Sequence, residues 1–471
     1  MNKPRTIEGQ WWIHGDDKPA HFGILSFDPE GGLKLTVKIP QSRMCDAAWL
    51  SVFKEFGKTD NVLSVIHGTD ENNCSVTLFG CGSWETSASA GLDIYRLGNI
   101  QAGILNFRGH SWNEARFQVA RANYTLLTRW MNRRLDLESK VDDGGVCLKY
   151  KSREQLEFDL GPRVRLRIEG TTLRCRDKNE LRLGWIHCAW FLFSESLPAK
   201  TIHDDYAQVL LRLLGLLTGE RVFIEEFAFF DRDPFEPGAG AAPQESELVI
   251  ANCGITEAKR DTPATDMVAS FDDIAPDFGS ILKRWFECHD KLEPVLDLYF
   301  AVFSNRVSTI ESRFLLLAQA LEVYHARSAF SSTELPTEEH KTKLKAIIEI
   351  VPAEYQTWLG DKLAFSNQKT LAKRLEEILN LHRVETAFLT AGVEDFAAKV
   401  RHTRNYYTHY SEESRRKAAK GLELRRIMFA LEDLLRICLL KELGIQGKPV
   451  ERILERNSSV TYADREPDTT N

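Results

Sequence analysis

The sequence predicts an α+β protein with a mainly-β N-terminal domain, a sandwich or barrel with one strong helix, and an all-α C-terminal helical bundle. Up to about residue 235, short runs of β-branched and aromatic residues alternate with Gly, Asn and Asp turns. From about residue 276 onward, apolar residues recur every three or four positions, which is the period of a helix. A chain of 471 residues is long enough to bury two or three such cores.

The clearest strand signals form a hairpin near the N-terminus. HFGILSF (21 to 27) and LKLTVKI (33 to 39) flank the turn sequence DPEGG. Every second residue from Leu33 to Ile39 is apolar and falls on one face, because successive strand side chains point to opposite sides. This density of strands is typical of a sandwich or barrel. Further strands are predicted at 61 to 68, 75 to 82, 103 to 109, 147 to 151 and 164 to 170.

One strong helix interrupts the strands at TIHDDYAQVLLRLLGLLTG (201 to 219), where apolar residues repeat at helical spacing until Gly219 ends the run. Residues 231 to 275 show neither period and are rich in Pro, Gly, Ala and acidic residues. Such a composition predicts a linker or an exposed loop. We therefore place the N-terminal domain at 1–235 and the linker at 236–275.

The predicted helical domain covers residues 276–448. Its first helix, 278 to 303, contains Pro294, a residue that can kink or split a helix. About six helices within about 170 residues is the size of one bundle. The polar residues 449–471 predict a frayed tail. The other helices are predicted at 313 to 327, 342 to 351, 370 to 382, 393 to 410 and 422 to 444.

Composition and charge exclude several classes of protein. No apolar run approaches the roughly 18 residues of a membrane span, and MNKPRTIEGQ lacks a signal-peptide core, so we expect a cytoplasmic protein with no membrane partner. The nine cysteines have no zinc-type spacing and are interpreted as reduced core residues. With a net charge of −7, RNA would have to bind at a local basic patch. Without a phosphate loop or dinucleotide fingerprint, no cofactor is expected.

Two N-terminal features raise the question of a ligand site. Trp11 and Trp12 could form a stacking platform, but neighbouring strand residues point to opposite faces, so we expect one in the core and one at its edge. His14, His21 and His67 have no carboxylate or cysteine partners at ligand spacing. No metal site is therefore predicted.

The frame Arg-x4-His occurs three times and is the main candidate for chemistry. It reads RLGWIH at 182 to 187, RWFECH at 284 to 289 and RNYYTH at 404 to 409. Spacing alone does not choose among them, because so short a frame recurs by chance. The third copy lies in KVRHTRNYYTHYSEESRRKAAKG, a cluster of cations in an otherwise acidic chain.

The basic residues around RNYYTH indicate phosphate binding. Lys399 and Arg401 are predicted to contact the RNA backbone, and Tyr407 and Tyr410 to stack on unpaired bases. An equally weighted interpretation is a solvated helix end whose tyrosines pack on the bundle. The residues alone leave both open.

RNA cleavage explains why an arginine and a histidine would occur together. RNA carries its own nucleophile, the 2′-hydroxyl, so the enzyme needs a group that moves protons near neutral pH, here His409. It also needs a fixed cation for the phosphorane charge, here Arg404. Five helical residues subtend about 500°, so these two side chains diverge by about 140°. The helix must bend or end between them, or a second subunit must complete the site.

The C-terminal bundle carrying RNYYTH and the upstream helix FLLLAQALEVYHAR resembles the HEPN domain, whose signature is Arg-x4-6-His with Asn, Asp or His behind the arginine. The whole arrangement resembles the ApeA-like anti-phage proteins. The N-terminal part of that likeness rests on IEGQWWIHG (7 to 15), then FGILSF and GGLKLTV, then IHGTDENNCSVTLFGC (66 to 81). The resemblance covers roughly residues 5 to 445.

This resemblance implies a metal-independent endoribonuclease with Arg404 and His409 as catalytic residues and Asn405 orienting them. Glu322, in the upstream helix, either neutralises Arg404 or caps a buried polar network. The resemblance further implies a homodimer, an RNA substrate and a 2′,3′-cyclic phosphate product. We expect the N-terminal domain to sense a phage-encoded trigger and to restrain the nuclease until it binds.

Two other interpretations stay open at this stage. The bundle could be a non-catalytic scaffold that binds RNA or nucleotides or dimerises, because some HEPN domains have lost catalysis. A weaker alternative places the active pair at Arg284 and His289.

Overall fold

Alternating apolar residues build the N-terminal half as sixteen strands among the residues that the computed structural model describes. Fourteen of them join in one sheet, in the order β12-β13-β14-β9-β15-β16-β8-β5-β4-β1-β2-β3-β7-β6, and β10 pairs with β11. The described residues are 4–14, 21–28, 32–40, 63–81, 84–89, 92–100, 102–105, 107–108, 115–132, 137–142, 145–150, 155–177, 180–235, 244–250, 262–302, 309–328 and 330–463.

Seven of these strands correspond to predicted runs, one of them shorter and one longer than predicted. The strand bounds are β1 Arg5–Ile13, β2 His21–Asp28, β3 Gly32–Pro40, β4 Leu63–Asp70, β5 Ser75–Cys81, β6 Trp84–Ser89, β7 Leu92–Ile100, β8 Ala102–Leu105, β9 Arg116–Tyr124, β10 Leu137–Asp142, β11 Gly145–Tyr150, β12 Gln155–Gly161, β13 Val164–Asp177, β14 Glu180–Pro198, β15 Ile224–Phe230 and β16 Glu245–Ile250.

The predicted hairpin is confirmed as β2 and β3, which pair antiparallel with Leu25 opposite Leu35. Leu33, Leu35 and Val37 are buried on one face, as the two-residue period requires. Trp11 is fully buried in the same core and donates a hydrogen bond from Nε1 to the Gly23 carbonyl at 3.2 Å. A Cβ at Gly68 would lie 2.4 Å from the Trp11 ring, so only glycine allows this packing.

Helices α1 (Leu127–Met131) and α2 accompany this sheet. The predicted strong helix is α2, which runs through Ala199–Thr201, a π-helical turn Ile202–Ala207 and Gln208–Thr218 before Gly219 ends it in the left-handed conformation. It packs on the sheet, and Tyr124 of β9 donates a hydrogen bond from its hydroxyl to the Ala207 carbonyl at 2.9 Å.

The linker predicted at 236–275 is wrong for its described residues. Residues 245–250 form β16, which pairs with β15 and β8 and buries Leu248. Residues 262–275 are also packed, because the Ala269 backbone bonds to Leu217 and its carbonyl accepts from Trp130 Nε1 at 2.7 Å. The acidic and proline-rich composition did not predict this short strand, because its register depends on pairing with β15 and β8. Residues 236–243 and 251–261 lie outside the described part.

The C-terminal part is helical, so the predicted division into a mainly-β and an all-α region is confirmed. The helices are α3 Phe271–Ile274, α4 Phe278–Val302, α5 Ile310–Arg327, α6 Thr337–Ile350, α7 Ala353–Leu363, α8 Leu371–Leu381, α9 Arg383–Leu389, α10 Phe396–His409, α11 Glu412–Arg415, α12 Gly421–Glu442 and α13 Lys448–Ala463. Pro294 lies inside α4 without splitting it. The chain divides into two compact units, Met1–Lys283 and Arg284–Asn471.

Within the second unit, α12 forms the centre of the bundle and packs against α5, α9 and α13. The polar tail predicted at 449–471 is wrong up to residue 463, because α13 continues the fold. Val450 and Ile453, three residues apart, are both buried and anchor this helix. Two apolar residues in a polar stretch gave too weak a period for the sequence to predict it.

Candidate active site

The RNYYTH segment forms the C-terminal half of α10. The Asp395 side chain caps the helix by accepting from the Ala398 backbone at 3.2 Å, and buried Phe396, Val400 and Thr403 hold it on the bundle. The helix ends at Tyr410, whose φ of 52° is left-handed. The motif therefore lies at a helix end, where side chains can reach solvent on several sides.

Helix α10 is continuous between Arg404 and His409. The alternative in which the helix bends or ends between the two residues is therefore wrong. On one straight helix their side chains leave the axis about 140° apart and are separated by about 7.5 Å of rise. The alternative in which a second subunit completes the site stays open.

Arg404 faces α5 and is held there loosely. Its Nη2 lies 3.8 Å from Glu322 Oε2, and its Nη1 lies 3.5 Å from Asn405 Oδ1. Both contacts are at the long limit of polar interactions. The Arg404 side chain remains 40% exposed. Because a guanidinium has five N–H donors, Arg404 keeps donors available for an anionic ligand.

Glu322 is the acidic residue for which the sequence left two roles open. Its carboxylate faces Arg404, whereas its backbone carbonyl accepts from Arg374 Nη1 at 3.3 Å. The side chain is about one-third exposed rather than buried. This arrangement favours partial neutralisation of Arg404 over the capping of a buried network by the carboxylate.

Asn405 links the two halves of the motif. It lies four residues before His409, so both side chains leave the same face of the helix. At the same time its amide oxygen contacts Arg404. His409 itself is exposed in the last turn of α10. An exposed imidazole next to a polar amide can exchange protons with a bound substrate.

Three tyrosines cluster at the helix end. The left-handed turn at Tyr410 brings its ring to 5.5 Å from that of Tyr406 and 6.2 Å from that of Tyr407. Tyr407 packs near Phe314 of α5, and burial raises the pKa of its hydroxyl, with a further contribution from Glu311. Tyr410 is 66% exposed. Tyr407 is therefore a packing residue in this chain, and Tyr410 offers an open ring.

Lys399 and Arg401 lie in the first half of α10, before the motif. Lys399 pairs with Glu423 at 2.9 Å, and Arg401 Nη2 lies 3.1 Å from His402 Nε2. Burial and the nearby Arg401 and Lys417 charges lower the pKa of His402. The structure thus brings Glu322 and Asn405 into contact with Arg404, whereas Lys399 and Arg401 contact Glu423 and His402.

The other two Arg-x4-His copies are placed differently. His187 in β14 and His289 in α4 are both buried. Arg284 donates to the Leu443 carbonyl at 3.2 Å, at the end of α12. Neither histidine is open to a polymeric substrate, which argues against an active pair at Arg284 and His289.

Thr403 is a residue that the sequence did not single out. Its buried hydroxyl donates to the Lys399 carbonyl at 2.8 Å and accepts from the Ala419 backbone N–H at 2.9 Å. It therefore fixes α10 against the start of α12, one residue before Arg404. A single threonine inside a helix gives no sequence signal for such a role.

Two of the N-terminal histidines considered as metal ligands, His14 and His67, are in contact. His14 Nδ1 lies 3.0 Å from His67 Nε2. Within the described ranges, no three or more His, Cys, Asp or Glu residues are grouped so that they could hold a metal ion. Of the helices in those ranges, none has the length and apolarity needed to cross a bilayer.

Comparison with protein families places both halves of the chain. The model described as ApeA N-terminal domain 1 matches residues 6–285, and the model described as Apea-like HEPN matches residues 315–448, which include Glu322 and the whole RNYYTH motif. Comparison with curated proteins and with solved structures gives no significant match. Because the first family model covers more than half of the sequence and the second follows it in order, the chain belongs to the ApeA family.

Proposed function

We propose that this protein is an endoribonuclease that cuts RNA without a metal ion. The observation that carries the proposal is the placement of Arg404, Asn405 and His409 at the exposed end of a helix within an Apea-like HEPN domain. In the reaction the RNA 2′-oxygen forms a bond to the adjacent phosphorus and the bond to the 5′-oxygen breaks. The products are a 2′,3′-cyclic phosphate and a free 5′-hydroxyl.

His409 transfers the protons in this reaction, and Arg404 stabilises the negative charge on the pentacoordinate phosphorus. Asn405 orients Arg404 through the contact at 3.5 Å. The exposed ring of Tyr410 stacks on a base beside the cleaved bond, a contact that suits unpaired RNA. Glu322 competes with the phosphate for Arg404 until RNA binds.

The functional unit is a homodimer in which two RNYYTH segments face each other. The continuity of α10 supports this arrangement, because Arg404 and His409 of one chain diverge by about 140°. Arg404 of one protomer then acts with His409 of its partner. A twofold axis produces such a pairing, since the same surface is used by both copies.

The biological role that we propose is anti-phage defence in the cytoplasm. The N-terminal unit holds the HEPN domain in an inactive arrangement, and a phage-encoded component shifts the population toward the active one. A fragment covering 276–463, which keeps α13, should then cut RNA faster, and be more toxic in cells, than the intact chain. Equal activity and toxicity of the two would contradict the restraint.

The nuclease itself is tested with Arg404→Ala and His409→Ala. Each change should abolish phage protection by the full chain and RNA cleavage in EDTA by the 276–463 fragment, which lacks the proposed restraint. His340→Ala, at a half-buried histidine of α6, is the control and should retain both activities. If the wild-type fragment binds RNA with a steep salt dependence but never cuts it, the domain is a binding scaffold and the nuclease proposal is wrong.

A further inference from the structure

Helices α6 and α7 form a hairpin in which no residue of either helix is buried. The two helices run antiparallel, because Ser366 Oγ, just after α7, lies 3.3 Å from Nε2 of His340 in the first turn of α6. They also approach closely, since a Cβ at Gly360 would lie 3.8 Å from Ile348 Cδ1. Helices of 14 and 11 residues are only marginally stable in water on their own. The hairpin would therefore gain stability from a surface that covers its apolar residues.

The hairpin exposes a set of large apolar side chains. Ile350 is 84% exposed, Trp358 is 60% exposed and Phe365 is 73% exposed. Ile347 and Tyr355 are exposed as well, and we call these five residues the hairpin face. Three of the five are aromatic, and aromatic residues are enriched at protein interfaces. Contiguous apolar patches of this kind mark interaction sites on soluble proteins.

The residues of the hairpin face that belong to the two helices lie on one side of the hairpin. At 100° per residue, they are turned by roughly 60–140° from the sides on which the helices meet, in the same rotational sense on both helices. Because the helices are antiparallel, the same sense of rotation brings both sets to the same side. The meeting sides are marked by half-buried residues, which are Leu344, Ile348, Leu359 and Leu363.

The charges of the hairpin favour a protein partner over RNA. Residues 336–366 contain four lysines and five carboxylates, so the segment has no surplus of cations to attract phosphates. Lys341 pairs with Glu338 at 2.8 Å, and Lys345 lies 3.8 Å from Glu349. A second copy of the hairpin carries the same nearly balanced charge, so two copies can approach without strong repulsion.

The area of the hairpin face is sufficient for a contact between two copies. With about 150–250 Å² for a whole aromatic side chain and somewhat less for isoleucine, the five residues expose on the order of 500–600 Å². Two copies together would bury about 1,000–1,200 Å² before their polar surroundings are counted, which reaches the size of a specific interface. Two antiparallel helices with apolar residues on one side are also half of a four-helix bundle. A second hairpin therefore fits both the area and the shape.

We propose that the hairpin face binds the hairpin face of a second copy of this chain, so that α6 and α7 of two protomers form a four-helix bundle. A twofold axis relates the two hairpins, because each contributes the same surface. The contact forms in the resting full chain and does not depend on RNA cleavage. Its consequence for activity rests on the proposed nuclease, in which it would keep two RNYYTH segments at a high effective concentration.

Sedimentation velocity of the full chain without RNA tests the proposal. We expect a monomer–dimer equilibrium with a Kd below about 10 μM. The double variant Ile350→Glu with Trp358→Glu sets like charges against each other and should raise this Kd at least about 30-fold. Val384→Glu, at an apolar residue of α9 that is 88% exposed, is the matched control and should leave the Kd unchanged. A wild-type chain that stays monomeric up to about 100 μM, or an unchanged Kd in the double variant, overturns the proposal.

A charge exchange shows whether the partner surface is the same face. Ile350→Lys with Trp358→Lys should also be monomeric at concentrations at which the wild type is dimeric. An equimolar mixture of the lysine and glutamate variants should form dimers, because opposite charges then meet across the contact. Circular dichroism and urea unfolding confirm that both variants are folded. Absence of dimers in the mixture overturns the pairing of like faces.

Removal of the whole hairpin gives a second variant that does not depend on tolerance of new charges. A full chain in which a short Gly-Ser linker replaces residues 336–366 lacks the hairpin face and should be monomeric where the wild type is dimeric. A dimer of wild-type Kd in this variant overturns the proposal.

RNA is the competing occupant, because exposed aromatic rings can also stack on bases. A single-stranded RNA of mixed sequence is titrated into the wild-type and glutamate chains, both carrying His409→Ala to prevent cleavage. Loss of RNA binding in the glutamate chain together with an unchanged dimer Kd overturns the proposal. Dimerisation through the hairpin in a chain that cuts no RNA supports the contact and contradicts only the proposed nuclease.

Discussion

The contact between Arg404 and Glu322 can be tested with two substitutions of Glu322. Their 3.8 Å ion pair is partly exposed, so it contributes little to stability. Glu322→Gln keeps an acceptor for Arg404, and we expect RNA cleavage to stay within about threefold of wild type or to rise, because a competing charge is removed. Glu322→Ala removes the same competing charge and should also leave cleavage within about threefold of wild type or raise it, because Asn405 still contacts Arg404.

Initial cleavage rates of both variants are measured together with their urea unfolding. The two measurements distinguish an effect on the site from a loss of stability. Glu311→Gln, on the first turn of the same helix, serves as the control and should match wild type. A tenfold loss in Glu322→Gln, with unchanged stability, would show that the charge itself is needed.

His325 predicts a pH dependence of stability in the helical unit. It is fully buried, and its Nε2 bonds to Glu377 at 2.7 Å. Burial lowers its pKa, the nearby Arg374 and Lys369 lower it further, and Glu377 opposes them. The unfolded chain takes up a proton near its ordinary pKa of about 6.5, whereas the folded chain resists. Stability should therefore fall as pH drops below about 6.5 toward the folded pKa.

Urea midpoints between about pH 7.5 and pH 5.5 measure this effect. His325→Gln should be less stable than wild type at the upper pH but should show a smaller loss across the window. The lowered pKa of Glu377 contributes only at more acidic pH, below about 4.5, so it does not mask the result. His340→Gln should keep the wild-type slope, and an equal slope in His325→Gln would contradict the assignment.

Helix α10 depends on Thr403 for its position against α12. Thr403→Val keeps the shape but leaves the buried Ala419 N–H without its acceptor, which costs about 1–3 kcal/mol. Thr408→Val is a matched control, because Thr408 also donates to the carbonyl four residues back at 2.8 Å but is exposed. It should change the free energy of unfolding by less than about 0.5 kcal/mol. Equal effects of the two changes on the free energy of unfolding, measured in urea, would show that the Thr403–Ala419 hydrogen bond does not hold α10 in place.

We predict that the fold does not require helices α6 and α7. Neither contains a buried residue. Their ends are already pinned together, because the Glu334 N–H bonds to the Asn367 carbonyl at 2.8 Å and the Lys369 N–H bonds to the Ser332 carbonyl at 3.2 Å. Replacing 336–366 with a short Gly-Ser linker should leave a cooperatively folded protein with helix content reduced by this segment alone.

Circular dichroism and urea unfolding measure that outcome. Deleting one turn of α8, which buries Leu375 and Ile378, is the contrasting change and should unfold the unit. Loss of cooperative unfolding in the linker variant would show that the hairpin is part of the core.

Elements with a long, strong period were predictable from the sequence, and those held by distant partners were not. The period of α2 and of the β2–β3 hairpin is visible locally, and the structure confirms both. Strand β16 depends on pairing with β15 and β8, and α13 depends on two apolar residues. Neither element was therefore predicted from the sequence. In the candidate site, RNYYTH was visible as a pattern, and Glu322 was named with contact to Arg404 as one of two open roles. The hydrogen bonds of Thr403 were not predicted, because they depend on how two helices pack, which a linear sequence does not contain.

At the scale of the whole molecule, the chain consists of two compact units and belongs to the ApeA family. We propose that the second unit cuts RNA only when two copies meet, because Arg404 and His409 diverge on one helix. Whatever controls the approach of the two copies then controls the proposed activity.

The composite site is tested most directly by mixing inactive variants. Arg404→Ala and His409→Ala are purified separately as 276–463 fragments, which lack the proposed restraint, assayed for RNA cleavage in EDTA, then mixed under conditions that exchange subunits, with exchange verified by mass spectrometry. Each alone should lose at least about 100-fold in rate. The mixture should recover at least about a tenth of the wild-type rate, because a mixed dimer holds one intact Arg404 facing one intact His409. Full activity of either variant alone, or no recovery after verified exchange, would contradict the account.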